Sequence, residues 1–200
     1  VRSLRDTNEF GDKEGESVEL GIGSANWAIF GVLWDAGQVL AHLLHSYDIK
    51  GRRVLEVGCG LGLSSLVLNH RHVDVTATDY HPAAGDFLAA NVALNGGSEI
   101  PFVCTAWDDE DCGMGQFDLI IGSDVLYERA HVAALSAFID RHAHPTCEVI
   151  IVDGGREERG RFTSSMHALG YESCRYKPLP SDYLAAPFGG EILHFARCAD

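Results

Sequence analysis

Val54-Leu55-Glu56-Val57-Gly58-Cys59-Gly60-Leu61-Gly62-Leu63-Ser64 is the stretch on which the reading of this 200-residue chain turns. A short apolar run ends at Gly58, three glycines alternate with larger residues, and a helix-like segment, residues 63–69, follows. A strand that turns through glycines into a helix lets backbone N–H groups approach an anionic ligand, because no Cβ stands in the way. A tight turn with no ligand satisfies the same letters. The spacing is G-x-G-x-G and not the G-x-G-x-x-G of dinucleotide sites, and Glu56 stands two residues before the first glycine. A carboxylate there repels a pyrophosphate, which disfavours a nucleotide-dependent oxidoreductase.

Outward from this turn, strand-like and helix-like segments alternate. Residues 73–78 are rich in β-branched side chains and end at Asp79. Residues 82–94 have helical character, with Pro82 near the first turn and Phe87, Ala90, Asn91 and Leu94 on one face, and Asn95-Gly96-Gly97 stops them. Residues 100–105, 117–122 and 148–152 read as strands. Between the last two, residues 130–143 space Val132, Leu135, Phe138 and Ile139 as a helix does, and residues 156–169 form a weaker helix. In the tail, residues 171–177 and 191–197 are strand-like with a Pro- and Gly-rich loop between them, too short for a helix, which predicts an antiparallel pair. The pattern is that of an α/β fold, a doubly wound, Rossmann-like, seven-stranded and mostly parallel sheet ending in that pair. Residues 34–47 predict a preceding helix with Val39, Leu40, Leu43 and Leu44 facing inward. Residues 34–200 are expected to form the main domain, and residues 1–33 an appendage over the sheet, where Val18, Leu20 and Ile22 alternate as in a short strand.

Composition narrows the partners. With 46 % hydrophobic and 22 % charged residues the chain is not globally disordered. No apolar run reaches the roughly 18 residues of a membrane span; residues 32–44 come nearest but carry Asp35, Gln38 and His42. Arg2, Arg5, Asp6 and Glu9 break any signal-peptide core, so a soluble cytoplasmic protein, not a membrane one, is expected. Fifteen Lys and Arg against 29 Asp and Glu leave a net charge of −14, which disfavours nucleic acid as a partner. Acid gathers in residues 6–19 and 108–111, either as solubilising loops or as a rim that attracts cations. Six cysteines without a C-x-x-C pair fit a reduced compartment, and ten histidines show no metal-ligand spacing; His142 and His144 read as surface. A monomer without metal is expected.

Asp79 lies 19 residues after Gly60, at the end of the second strand. A carboxylate there accepts both hydroxyls of a ribose; it serves equally well as a helix cap before His81-Pro82. At this point the chain resembles the class I, seven-stranded methyltransferases that use S-adenosylmethionine: Val54 to Gly62 is similar to their first motif, and Thr76-Ala77-Thr78-Asp79-Tyr80 to their second. The resemblance covers about residues 34–200. It is closer to methyltransferase family 16, with its many protein lysine methyltransferases, on three local features. These are Leu33-Trp34-Asp35-Ala36-Gly37, Trp107-Asp108, and Gly122-Ser123-Asp124-Val125-Leu126-Tyr127, the last similar to the family's D-x-x-Y signature.

The resemblance implies a role for each matching position. Trp34 lines the cofactor pocket, and the turn Gly58-Cys59-Gly60-Leu61-Gly62 passes the methionine part of the cofactor. Glu56 and Tyr80 belong to the same two motifs, Asp79 holds the ribose, Trp107 packs on the adenine and Ser123, often Ala in the family, contacts the cofactor. Asp124 and Tyr127 face the acceptor as the catalytic pair, orienting an amine and helping its proton leave. The bland alternatives are core packing for Trp34, strand-end packing for Trp107, a turn cap for Asp124 and a half-buried aromatic for Tyr127. No N-P-P-[YF] follows the fourth strand, which lowers DNA or RNA as substrate. A protein lysine is the leading acceptor and a small-molecule amine the next; a non-catalytic module that binds S-adenosylmethionine is the third reading. Residues 178–190 and 1–33 are expected to shape the acceptor site.

Overall fold

Seven strands form one sheet: β1 (Arg53–Val57), β2 (Asp74–Asp79), β3 (Phe102–Cys104), β4 (Phe117–Ser123), β5 (Ala143–Asp153), β6 (Glu172–Tyr176) and β7 (Glu191–Arg197). The computed structural model describes residues 1–12, 15–109, 113–179 and 182–198, and only the backbone of Glu16 and Ala25. Cys112, the acidic residues 110–111 and part of the tail loop lie outside the described residues. Strand order is β3-β2-β1-β4-β5-β7-β6. The first five strands pair in parallel, and β7 runs antiparallel to both β5 and β6, as the helix-free tail requires.

Parallel strands covered on both faces read as near-continuous apolar runs, and the central ones do, apart from Glu56 in β1 and Asp118 in β4. Val54, Leu119, Ile121, Ile150 and Val152 face α2 (Asp35–Ser46), α3 (Leu63–His70) and α4 (Ala83–Leu94). Leu55, Val57, Ile120, Val149 and Ile151 face α5 (His131–His142) and α6 (Arg159–Ala168). Phe138 and Phe162 fill this second layer with no exposure, each contributing about 1.5–3 kcal/mol of burial. On α2, Val39, Leu40 and Leu44 are buried as the periodicity predicts, while Leu43 is only partly covered.

Four expectations need correction. His142 is not a surface residue: it is buried, with Nδ1 at 3.0 Å from the Gly115 carbonyl, and only His144 is exposed. β5 begins at Ala143 and not at residue 148: helix α5 runs straight into it, and its pairing with β4 jumps from Ala143 to Glu148, leaving extra residues around Pro145 out of the ladder. Helix α6 is shorter than predicted, because residues 153–156 form a turn held by Asp153. No strand forms over residues 18–22. Glu16–Glu19 is a helical turn, α1, whose first N–H groups, of Ser17 and Val18, both donate to the Asp12 carboxylate. Val18 and Leu20 point to solvent, at 61 % and 40 % exposure, so their alternation records no sheet face. Among the described residues no helix is long and apolar enough to cross a membrane.

Candidate active site

Sheet order reverses between β1 and β4: the chain leaves β1 toward β2 on one side and returns to β4 on the other. In open α/β sheets such a switch point opens a crevice beyond the carboxyl ends of the strands. The glycine turn leaves β1 there, with Gly58, Gly60 and Gly62 at φ of +60°, +52° and +70°. At Gly60 the requirement is double: the backbone is left-handed, and a Cβ would stand 2.8 Å from the Phe30 carbonyl oxygen. Cys59 donates its N–H to the Thr78 carbonyl at 2.9 Å, tying the turn to β2, and its side chain is buried in the core.

Two carboxylates brace the turn from different sides. Glu56 is 3 % exposed, and one of its oxygens accepts the backbone N–H of Ser65 at 2.9 Å and the Ser65 hydroxyl. Ser65 is the third residue of α3, so Glu56 satisfies a free N–H of that helix from beneath the turn. Burial pushes its carboxyl up to about 7, against the hydrogen bonds of Ser65. The side chains of Glu56 and Cys59 therefore shape the turn and do not face the crevice. Asp79 does more. Its Oδ2 accepts the Gly60 N–H and its Oδ1 the His81 N–H, both at 2.8 Å. Burial raises its carboxyl too, against the N–H groups of His81, Gly60 and Tyr80. Helix α4 is capped not by Asp79 but by His81, whose Nδ1 accepts the Ala83 N–H at 3.2 Å. A carboxylate has about four acceptor sites, so these N–H groups do not saturate Asp79.

Around this centre the other residues converge. Trp107 lies 3.7 Å from the Cβ position of Gly58, and Val125 lies 2.8 Å from it, so the segments after β3 and β4 close on the turn. Ser123 Oγ sits 3.5 Å from the Cβ position of Gly37, which brings the end of β4 to the start of α2. Trp34 precedes α2 in extended conformation, 37 % exposed, its indole N–H bonded to the Ile29 carbonyl at 3.0 Å; it is not a core residue of the helix. Tyr80 is 41 % exposed and donates its hydroxyl to the Leu20 carbonyl. Tyr127 is 40 % exposed, and burial of its hydroxyl end, then the charges of Glu128 and Asp79, push the phenol up to about 12. It stays protonated at neutral pH and is a hydrogen-bond donor. Asp124, at φ +54°, is held between its own N–H bond to the Val152 carbonyl and the guanidinium of Arg156.

Several residues here escape a reading of the sequence. His131 stands edge-on to both Trp107 and Tyr127, with centroids at 5.6 and 5.9 Å, and its Nε2 is 3.4 Å from Glu128. The one local signal was its position at the start of α5, three residues after Glu128. Phe30 stacks on His81 at 4.1 Å, and the His81 Nε2 meets the Ser17 hydroxyl at 3.0 Å. Asn26 donates to Glu128 at 3.1 Å, Leu4 to the Gly31 carbonyl at 2.7 Å, and Arg2 pairs with Asn91. The described residues between 2 and 31 thus touch α4 at Arg2, the glycine turn at Phe30 and the loop after β4 at Asn26. Among the described residues no group of three His, Cys, Asp or Glu side chains is placed to hold a metal ion.

A family described as lysine methyltransferase, methyltransferase family 16, matches residues 16–168. The protein N-lysine methyltransferase METTL21A of Danio rerio is 37 % identical over 170 residues, covering 76 % of this chain and 78 % of that protein. The electron transfer flavoprotein beta subunit lysine methyltransferase of Danio rerio is 31 % identical over 152 residues, 72 % of this chain but only 57 % of its own length. Among solved structures, magnesium protoporphyrin IX methyltransferase from Synechocystis PCC 6803 with bound S-adenosylhomocysteine superposes with a TM-score of 0.62 at 16 % identity, covering 81 % of each chain.

Proposed function

The chain belongs to the lysine methyltransferase family, a class of S-adenosylmethionine-dependent enzymes, and from that premise we propose that it methylates the side-chain nitrogen of a lysine in a protein. S-Adenosylmethionine supplies, when bound, a methyl group on a cationic sulfur, already activated for displacement, and leaves as S-adenosylhomocysteine. The residues fit such a group. Asp79, not saturated by its backbone N–H partners, would take the ribose hydroxyls. Trp107 and Trp34 offer indole faces to the adenine and to the sulfonium. The turn from Gly58 to Gly62, Ser123 and Tyr80 complete the pocket wall. On the far side, Asp124 and the Tyr127 hydroxyl would hold the acceptor nitrogen, so that the protein contributes alignment and exclusion of water. Residues 1–33 are read as a lid over residues 34–200, and the net charge of −14 supports a cationic protein acceptor over nucleic acid. Thiols at Cys59, Cys147, Cys174 and Cys198, none in a disulfide, fit action in the reducing cytoplasm, as a monomer.

The observation that carries this reading is the 2.8 Å bond from Gly60 N–H to Asp79, which locks the acid of the second strand onto the glycine turn of the first. Calorimetric titration with S-adenosylhomocysteine should show micromolar binding, absent with NAD and weakened at least tenfold in Asp79→Asn. Labelled methyl transfer to lysate proteins should then appear on lysine. Binding without transfer to any acceptor would favour the non-catalytic module, and transfer confined to small amines the small-molecule enzyme.

A further inference from the structure

The turn after β5, Asp153-Gly154-Gly155-Arg156, is built around the carboxylate of Asp124. Asp153 has no exposure, and its Oδ2 accepts the N–H groups of Gly155 and Arg156 at 2.9 Å each and meets Arg159 Nε at 3.2 Å. These bonds fix the turn. A Cβ on Gly154 would lie 3.3 Å from Asp124 Oδ1, so the backbone passes directly against that carboxylate. Arg156 then sends its guanidinium back across it: Nε donates to Oδ1 and Nη2 to Oδ2, both at 2.9 Å. Arg159 is shared between Asp153 and Glu191. Tyr127 and Glu128 follow Asp124 on its own loop, and Asp79 acts on Tyr127 from β2. Of these groups Arg156 alone, among the described residues, donates to the Asp124 side chain.

A two-pronged guanidinium–carboxylate pair fixes orientation as well as charge. It also removes a difficulty in the acceptor chemistry. A lysine ammonium must release a proton to water before its nitrogen has a lone pair to give. A bare carboxylate within about 4–6 Å favours the ammonium and opposes that release. We propose that Arg156 is a positioning residue of the reaction: it neutralises and orients Asp124, so that the acceptor nitrogen meets a hydrogen-bond acceptor and not a net negative charge. The inference rests on the amine-acceptor reading above.

Its test is the pH profile of labelled methyl transfer to poly-L-lysine by wild type, Arg156→Gln and Arg156→Lys. In Arg156→Gln the unpaired acid holds the acceptor as ammonium. Its rate at pH 7.5 should fall about tenfold with no rise in KM, and its rising limb should move about one pH unit upward, so that activity returns in alkali. Arg156→Lys should keep most of the rate, and S-adenosylhomocysteine should bind all three proteins alike. A profile lowered uniformly with no displacement along pH, or loss of cofactor binding in both variants, would overturn the inference in favour of a structural ion pair. A second readout needs no acceptor: the Arg156 Nε–H should exchange slowly with solvent by NMR in wild type and rapidly in Asp124→Asn. Rapid exchange in wild type overturns the pair whatever the activity. A wild type with slow Nε–H exchange that methylates neither poly-L-lysine nor lysate proteins refutes instead the amine-acceptor reading and the role given to Arg156 within it.

Discussion

The two halves of the crevice are held by different means. On the β1–β2 side the charged groups are fixed by backbone: Asp79 by the N–H groups of Gly60 and His81, Glu56 by that of Ser65. On the β4–β5 side Asp124 is fixed by a side chain from 32 residues away, Arg156, which is 43 % exposed. A backbone clamp cannot let go without unfolding a turn, whereas an arginine can swing on its stem. On the function proposed above, the contrast suits a cofactor half that keeps one shape and an acceptor half that can adjust.

The largest effect should follow from breaking the rigid half at Gly60. Alanine there takes a left-handed backbone conformation costing about 1–2 kcal/mol, and its Cβ meets the Phe30 carbonyl oxygen at 2.8 Å. Since the Gly60 N–H is also the donor to Asp79, the turn, the acid and the strand of chain over them shift together. Gly60→Ala is expected to lower affinity for S-adenosylhomocysteine by well over tenfold in calorimetric titration and to lower the melting temperature. An unchanged affinity would mean that the backbone clamp is not what shapes the cofactor half.

The same contrast explains what was legible in the sequence. Gly58, Gly60, Gly62, Asp79 and Asp124 stand at strand ends, where alternation and strand length place them within a residue or two. The parallel order of the sheet followed from helices between strands, and the terminal antiparallel pair from the missing helix. The partner of Asp124 was not legible, because the contact depends on a turn built by Asp153, and sequence distance carries no sign of it. Residues 18–22 misled for a related reason. Their alternation is real, but Asp12 accepts the N–H groups of Ser17 and Val18 and starts a helical turn, and among the described residues no strand pairs with them to reward extension. Glu56 and Cys59 carry no signal apart from the motif that contains them. Period two along β1 settles the matter: Glu56 falls on the helix α3 side, under the turn.

A smaller effect tests the cost of that placement. Burial raises the Glu56 carboxyl from 4.5 to about 7, so the folded state binds this proton more tightly than the unfolded chain does. The stability it contributes is present below about pH 4.5 and is lost as pH rises through 7. Wild type and Glu56→Gln should therefore melt at similar temperatures near pH 5, where the glutamate is protonated. Toward pH 8 the glutamine variant should gain by a few degrees. Parallel melting curves across this range would show that the hydrogen bonds from Ser65 fully offset the burial.

The smallest effect concerns the segment that joins the two halves. Asn26 donates to Glu128 at 3.1 Å, and Glu128 in turn approaches His131, the ring that touches both Trp107 and Tyr127. The N-terminal segment therefore touches the adjustable side at Asn26, while Ser17 before it and Phe30 after it anchor it to His81 on the rigid side. Asn26→Ala removes one part-buried bond, about 0.5–1.5 kcal/mol of local stability. Hydrogen exchange should then speed up in residues 22–31 by about threefold to tenfold, with β1 and β4 unchanged. Because the rigid anchor survives, cofactor affinity should hold within about twofold while the acceptor KM rises. Exchange accelerated all the way back to Ser17 would instead mark the crossing as one cooperative unit, and the two halves would share a single lid.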